Sequence, residues 1–146
     1  MLFYLGLGTN LGDKEQNLRH AVRKIEERIG KVVSLSAFYA TAPWGFTSEN
    51  GFLNAALGVE TSLTPHELLR ATQAIEREMG RTHKSVGGVY ADRLIDIDLL
   101  LAIQEDGALL SVDTPELKLP HPLMTERDFV MRPLREIAPE VEERLR

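Results

Sequence analysis

The segment "LIDIDLLLA", Leu94 to Ala102, is the last of four predicted strands, and it bears on both the fold and the function. Its run of isoleucine and leucine favours a strand, but Asp96 and Asp98 interrupt it. Because alternate side chains of a strand share a face, both aspartates should point the same way, with Cα atoms about 6.6 Å apart. The apolar residues should face the core on the other side: Ile95, Ile97, Leu99 and Leu101.

Three more segments upstream have strand character and are bounded by turn residues. They are "LFYLGLG" (Leu2 to Gly8), "VVSLSAFYA" (Val32 to Ala40) and "FLNAALGVE" (Phe52 to Glu60). A further helical piece, "RPLREIAPE", is predicted after the fourth strand, with a short helix before it near Thr125.

Two amphipathic helices separate these strands. The first runs from Asp13, which resembles an N-cap, to Ile29, and Gly30 ends it. The second opens on "TPHELL" at Thr64, with Pro65 at its first helical position, and ends at Gly80. The order β-α-β-β-α-β predicts an α+β fold, a ferredoxin-like antiparallel sheet with helices packed on it and a C-terminal helical extension.

Composition indicates one domain, residues 1–146. Apolar residues make up 43% and charged residues 27%, with no apolar run of membrane-spanning length and no secretory signal pattern at the N-terminus. The absence of cysteine excludes disulfides and fits a cytoplasmic location. A net charge of −5 argues against nucleic acid as a partner, and we expect a monomer that binds no membrane.

The aspartate pair predicts a metal site. Two carboxylates this close repel each other, and a hard divalent cation such as Mg²⁺ removes the repulsion. Cationic residues cluster in the same part of the chain, which suggests a polyphosphate ligand: Arg81, His83, Lys84, Arg93, Lys118, His121 and Arg127. On these residues alone, a solvated sheet face and a charged loop explain the pattern as well.

Other candidates are ambiguous by residue type. Gln73 and Glu76 are typical of helix surface, Phe52 and Phe129 of a core, and Asn54 of either a solvated strand or a ligand-reading amide. The glycines of "GLGTNLGD" are out of register for a dinucleotide fingerprint, and the sequence contains no P-loop.

Several stretches together resemble one family, the 6-hydroxymethyl-7,8-dihydropterin pyrophosphokinases of folate biosynthesis. They are "GLGTNLGD", "FYATAPWG", "FLNAALGVET", "IEREMGR", "DRLIDIDLLL" and "LPHPLMTERDFVMRPLREIAPE". The resemblance spans residues 1 to about 140, and its most specific part is the R-x-x-D-x-D-[LI]-[LI] element with P-H-P and R-x-F downstream.

The resemblance implies Mg²⁺-dependent transfer of pyrophosphate from ATP to the hydroxymethyl group of 6-hydroxymethyl-7,8-dihydropterin, with release of AMP. It implies that Asp96 and Asp98 bind two Mg²⁺ ions and act in catalysis with Arg81 and Arg93. It implies a pterin site made of Thr41, Trp44, Phe52, Asn54 and Phe129. It implies an ATP site made of Gln73, Glu76, Arg81, His83, Lys84, Arg93, His121 and Arg127. The loop from Arg81 to Arg93 should close over the substrates, with His83 where the family commonly has arginine.

Two alternatives remain at this point. One is a different Mg²⁺-dependent phosphotransferase or hydrolase, which would release ADP from ATP. The other is a non-catalytic ferredoxin-like ligand-binding module, which the aspartate pair with clustered cations does not favour.

Overall fold

The computed structural model describes residues 1–41, 51–80 and 94–145, and its centre is one antiparallel sheet. Its strands are β1 (Leu2–Thr9), β2 (Lys31–Leu35), β3 (Tyr39–Thr41), β4 (Phe52–Glu60) and β5 (Asp96–Ile103). Four of them lie in the order β2-β4-β1-β5, and the short β3 pairs with β4 beyond the end of β2. A two-stranded hairpin follows, made of β6 (Val112–Asp113) and β7 (Lys118–Leu119).

One face of the sheet is covered by helices α1 (Lys14–Arg28) and α2 (Pro65–Gly80). Both begin at the predicted caps: Asp13 Oδ1 accepts from the N–H of Gln16 at 3.1 Å, and Thr64 exchanges hydrogen bonds with Glu67. Their apolar stripes are buried against alternate residues of β1, β4 and β5. This first core includes Phe3, Leu5, Leu7, Leu18, Ile25, Leu57, Leu68, Ile75, Ile97 and Leu99.

The C-terminal residues cover part of the opposite face. After a 3₁₀ turn (Met124–Glu126), helix α3 (Asp128–Ile137) and the short α4 (Val141–Arg144) follow. They bury a second core that contains Tyr4, Ala56, Leu100, Leu101, Met131 and Leu134. Within the described ranges, no helix is long and apolar enough to cross a bilayer.

The prediction for Leu101 was wrong because β5 contains a bulge. Tyr4 pairs with Leu101 and Leu5 pairs with Leu99, so Leu100 is the extra residue. The bulge reverses the alternation, and Leu101 therefore packs in the second core while Ile97 and Leu99 face the helices as expected.

Other boundaries also differ from the prediction. The strand expected from Val32 to Ala40 is broken at Ser36, whose backbone and hydroxyl both bond to Ala56. The fourth strand begins at Asp96 rather than Leu94, and α3 begins at Asp128, ahead of the predicted "RPLREIAPE". The β4 bounds were predicted correctly.

Candidate active site

Four strands place one row of residues across the sheet on the face opposite α1 and α2. Asn54 on β4 pairs with Tyr39 on β3 and with Gly8 on β1, and Gly8 pairs with Asp96 on β5. The next row continues through Ala56, Gly6 and Asp98. Since neighbouring strands lie about 4.8 Å apart, the amide and the carboxylates are roughly 10 Å from each other across a glycine.

The glycine between them leaves the floor of this site open. A Cβ at Gly8 would lie 3.0 Å from Asn54 Oδ1 and 3.9 Å from the Phe52 ring. Any larger residue would therefore fill the space between the amide and the carboxylates. The G-x-G pattern of β1, set aside in the sequence because it fails as a dinucleotide fingerprint, marks this flat floor, which was not predicted.

Asn54 is held in one orientation. It is only 6% exposed, and its Nδ2 donates to Thr41 Oγ1 at 2.7 Å. Because the amide nitrogen is turned toward Thr41, its oxygen lies on the Gly8 side. The described residues thus bring Thr41, Phe52 and Asn54 together on two neighbouring strands.

The two phenylalanines are both partly buried. Phe52 begins β4 and is partly buried. Phe129 lies in the first turn of α3, packs partly against the second core, and has the Arg127 guanidinium 5.9 Å from its ring centroid. Neither ring is fully buried, and both retain surface for a ligand.

Glu76 joins the two aspartates from the edge of the sheet. Its Oε2 accepts from the backbone N–H of Ile97 at 2.7 Å, between the two aspartates on the edge strand β5. Burial raises the pKa of Glu76 to about 7, opposed by the Ile97 hydrogen bond and reinforced by the negative charges of Asp96 and Asp98. By residue type alone Glu76 was a surface residue; the structure makes it a third acidic group of the site.

The donor set fits Mg²⁺ that is shared with a phosphate ligand. In the described residues, no three histidine, aspartate or glutamate side chains are arranged to hold a metal by themselves. Asp96 and Asp98 supply two hard oxygen donors, and Mg²⁺ characteristically takes one or two carboxylates and completes its shell with water and substrate phosphates.

His121 is held next to this acidic group by the bulge of β5. The backbone N–H of His121 donates to the carbonyl of Leu100 at 2.7 Å, and its ring Nδ1 accepts from the backbone N–H of Leu123 at 3.2 Å. In the neutral ring the proton therefore lies on Nε2. Burial lowers the pKa of His121, as does the charge of Arg127, while Asp96 opposes them.

Other predicted residues are exposed, paired elsewhere, or outside the described residues. Gln73 is exposed on α2, one turn before Glu76. Lys118, from the predicted cation cluster, forms an ion pair with Asp113 on the β6–β7 hairpin. Five candidates lie outside the described residues, as does the predicted loop closure: Trp44, Arg81, His83, Lys84 and Arg93.

Comparisons with known proteins point to one family. The family model for 7,8-dihydro-6-hydroxymethylpterin-pyrophosphokinase (HPPK) matches residues 4–139. A 2-amino-4-hydroxy-6-hydroxymethyldihydropteridine pyrophosphokinase of Porphyromonas gingivalis (strain ATCC 33277) is 51% identical over 138 residues, which cover 94% of this chain and 91% of that protein. The enzyme of the same name from Bacillus subtilis (strain 168) is 42% identical over 140 residues, 95% of this chain and 79% of that protein.

Solved structures share the fold. An HPPK-DHPS in complex with substrates aligns with a TM-score of 0.65 at 17% identity and covers 95% of this chain and 40% of that one. A Plasmodium falciparum HPPK-DHPS triple mutant with STZ-DHP aligns with a TM-score of 0.69 at 16% identity, again over 95% of this chain and 40% of the other.

Proposed function

Because the chain belongs to the 7,8-dihydro-6-hydroxymethylpterin-pyrophosphokinase family, and is a pyrophosphokinase of folate biosynthesis, we propose that it transfers pyrophosphate from ATP to the hydroxymethyl group of 6-hydroxymethyl-7,8-dihydropterin. AMP is the second product of the proposed reaction. Family membership decides against the alternative of a non-catalytic binding module.

The observation that best supports this proposal is the row from Asn54 through Gly8 to Asp96. It separates a hydrogen-bonding amide from the acidic group by roughly two strand spacings, about 10 Å, a distance comparable to a pterin ring with its hydroxymethyl arm. A flat ring lying on Gly8 would present its amide edge to Asn54 and its hydroxyl to Asp96.

Phe52 and Phe129 supply the apolar faces for that ring. A bicyclic heterocycle gains stacking and burial from two aromatic neighbours, while Asn54 Oδ1 accepts from its N–H groups. Thr41 holds the amide in the orientation that this reading requires.

The polyphosphate of ATP would lie over Asp96, Asp98 and His121. We propose that the two aspartates hold two Mg²⁺ ions, which when bound neutralise phosphate charge and make the β-phosphorus more electrophilic. His121 Nε2–H would donate to a phosphate oxygen, and Arg127 would add charge. Gln73 and Glu76 would contact the nucleotide from α2.

The proposed step is an in-line displacement. The hydroxymethyl oxygen attacks the β-phosphorus and loses its proton. The bond between the β-phosphorus and the α–β bridging oxygen breaks, and AMP leaves with that oxygen. Such a reaction needs positioning and charge neutralisation and no covalent enzyme intermediate. Arg81, Arg93, His83, Lys84 and Trp44 keep their proposed roles from the family resemblance.

The fold type is also part of the proposal. We interpret the sheet order with its two helices as ferredoxin-like, with α3 and α4 as the C-terminal extension. One domain, a monomeric state and a cytoplasmic location stay predictions from the sequence.

Phosphorus NMR tests the reaction directly. The protein is incubated with ATP, Mg²⁺ and the pterin, and we expect AMP with a new diphosphate ester. A parallel sample with excess chelator, and one with Asp98→Asn, should show neither product. Formation of ADP instead of AMP would contradict pyrophosphoryl transfer and support an ordinary kinase.

A further inference from the structure

Glu136, near the C-terminal end of α3, ties that helix to the bend between β2 and β3. The backbone N–H of Ala37 donates to both of its carboxylate oxygens, at 3.1 Å each, and the hydroxyl of Tyr39 donates to Oε1. Hydrogen bonds to a charged acceptor are stronger than neutral ones. The Glu136 carboxylate therefore links α3 to Tyr39, the first residue of β3, and to Ala37, two positions before it.

The strand that it holds is short and carries part of the candidate pterin site. β3 has three residues, and in the described residues it pairs with β4 alone. Its Tyr39 lies directly opposite Asn54, and its Thr41 Oγ1 fixes the Asn54 amide. So short a ladder gives few backbone bonds, so the position of β3 depends on side-chain contacts such as that of Glu136.

The same stripe of α3 also carries Phe129. Positions 129, 132 and 136 are spaced i, i+3 and i+7 and share one helix face. The Arg132 guanidinium lies 5.2 Å from the Tyr39 ring centroid, and Glu136 is about 10.5 Å along the axis from Phe129. One helix face thus contacts β3 twice and presents a ring at its other end.

We propose that Glu136 is a positioning residue for pterin binding, because it sets the distance between Phe129 on α3 and the side chains of Phe52 and Asn54 on β4. This inference rests on the proposed function, in which the ring lies between Phe52 and Phe129. Of the groups proposed for ATP, Glu76 and His121 lie on other elements, and Arg127 lies at the opposite end of α3 from Glu136. Loss of the tie should therefore weaken pterin binding more than nucleotide binding.

The experiment is a double-mutant cycle on Glu136→Ala and Tyr39→Phe. Affinity for 6-hydroxymethyl-7,8-dihydropterin is titrated by fluorescence with Mg²⁺ and a non-hydrolysable ATP analogue present, and the analogue is titrated separately. Tyr39→Phe should raise the pterin Kd roughly fivefold and Glu136→Ala somewhat more, since it also frees Ala37. Adding Tyr39→Phe to Glu136→Ala should have no further effect. Glu143→Ala, which removes an exposed glutamate from α4, is the charge-matched control and should change neither Kd.

Each other outcome overturns the inference at a defined point. An unchanged pterin Kd in Glu136→Ala, fully additive effects, or an equal loss of analogue affinity would each refute a positioning role while leaving the proposed function intact. Failure of the parent protein to bind the pterin would overturn the proposed function, and the role of Glu136 with it.

Discussion

Replacing Glu76 with glutamine should stabilise the metal-free protein at about pH 8 and change its stability little at about pH 4.5. Glutamine keeps the shape of protonated Glu76, so its oxygen can still accept from the Ile97 N–H while its NH₂ faces Asp96. What it removes is a partly buried negative charge beside two other carboxylates.

The sign follows from the direction of the shift. The pKa of Glu76 is raised from 4.5 to about 7 by burial first and by the neighbouring aspartates second. The folded protein therefore holds a proton that the unfolded chain releases, and stability falls as pH rises from 4.5 through 7. The shift corresponds to at most roughly 3 kcal/mol, and because part of the side chain reaches water we expect about 1–2 kcal/mol.

Urea unfolding of metal-free protein at the two pH values measures this difference, with the denaturant slope as a check that the unfolded state is unchanged. Glu78→Gln is the matched control on the same helix, because Arg28 lowers the pKa of Glu78 to about 2. The Glu78 carboxylate stabilises the folded protein above about pH 4.5, and this contribution is lost as the pH falls toward 2. Its removal should therefore destabilise the protein at about pH 8. Equal effects of Glu76→Gln at both pH values would refute the reasoning.

Asp98→Asn should abolish most turnover while the thermal midpoint of the metal-free protein holds or rises; near-normal turnover would contradict the metal assignment. Phe129→Ala should weaken pterin binding by about 1–3 kcal/mol in calorimetry and barely change ATP affinity, whereas equal losses would make the ring a core residue. Gly8→Ala should raise the pterin KM several-fold, since its Cβ would lie 3.0 Å from Asn54 Oδ1. Gly80→Ala, with nothing within 4 Å of the added carbon, is its control, and an unchanged KM in Gly8→Ala would exclude close approach of the ring.

Local chemistry made the helix starts and the central strand predictable. The capping box of Thr64 and Glu67 forms as its residue types predict. Phe52–Glu60 forms a strand whose successive side chains face the two cores in turn. The aspartate pair likewise shares a sheet face because a period of two is a local property of a strand.

Features that depend on distant partners could not be predicted in this way. The sequence gives no indication of the bulge at Leu100, because Leu99, Leu100 and Leu101 are all apolar and both sheet faces are buried there. The break at Ser36 depends on Ala56, twenty positions later. Glu76 is an ordinary helix residue until β5 brings two carboxylates beside it.

The glycine floor also bears on how inhibitors of this enzyme could lose potency. At Gly8 the wall of the candidate pterin site is main chain, and any substitution there adds carbon toward the Asn54 amide that the natural ring would use. For a compound that rests on this floor within the outline of the pterin, a substitution at Gly8 that displaces the compound would obstruct the pterin as well. A compound that extends past the outline toward solvent-exposed side chains gives up that protection, because those positions can vary without cost to the substrate.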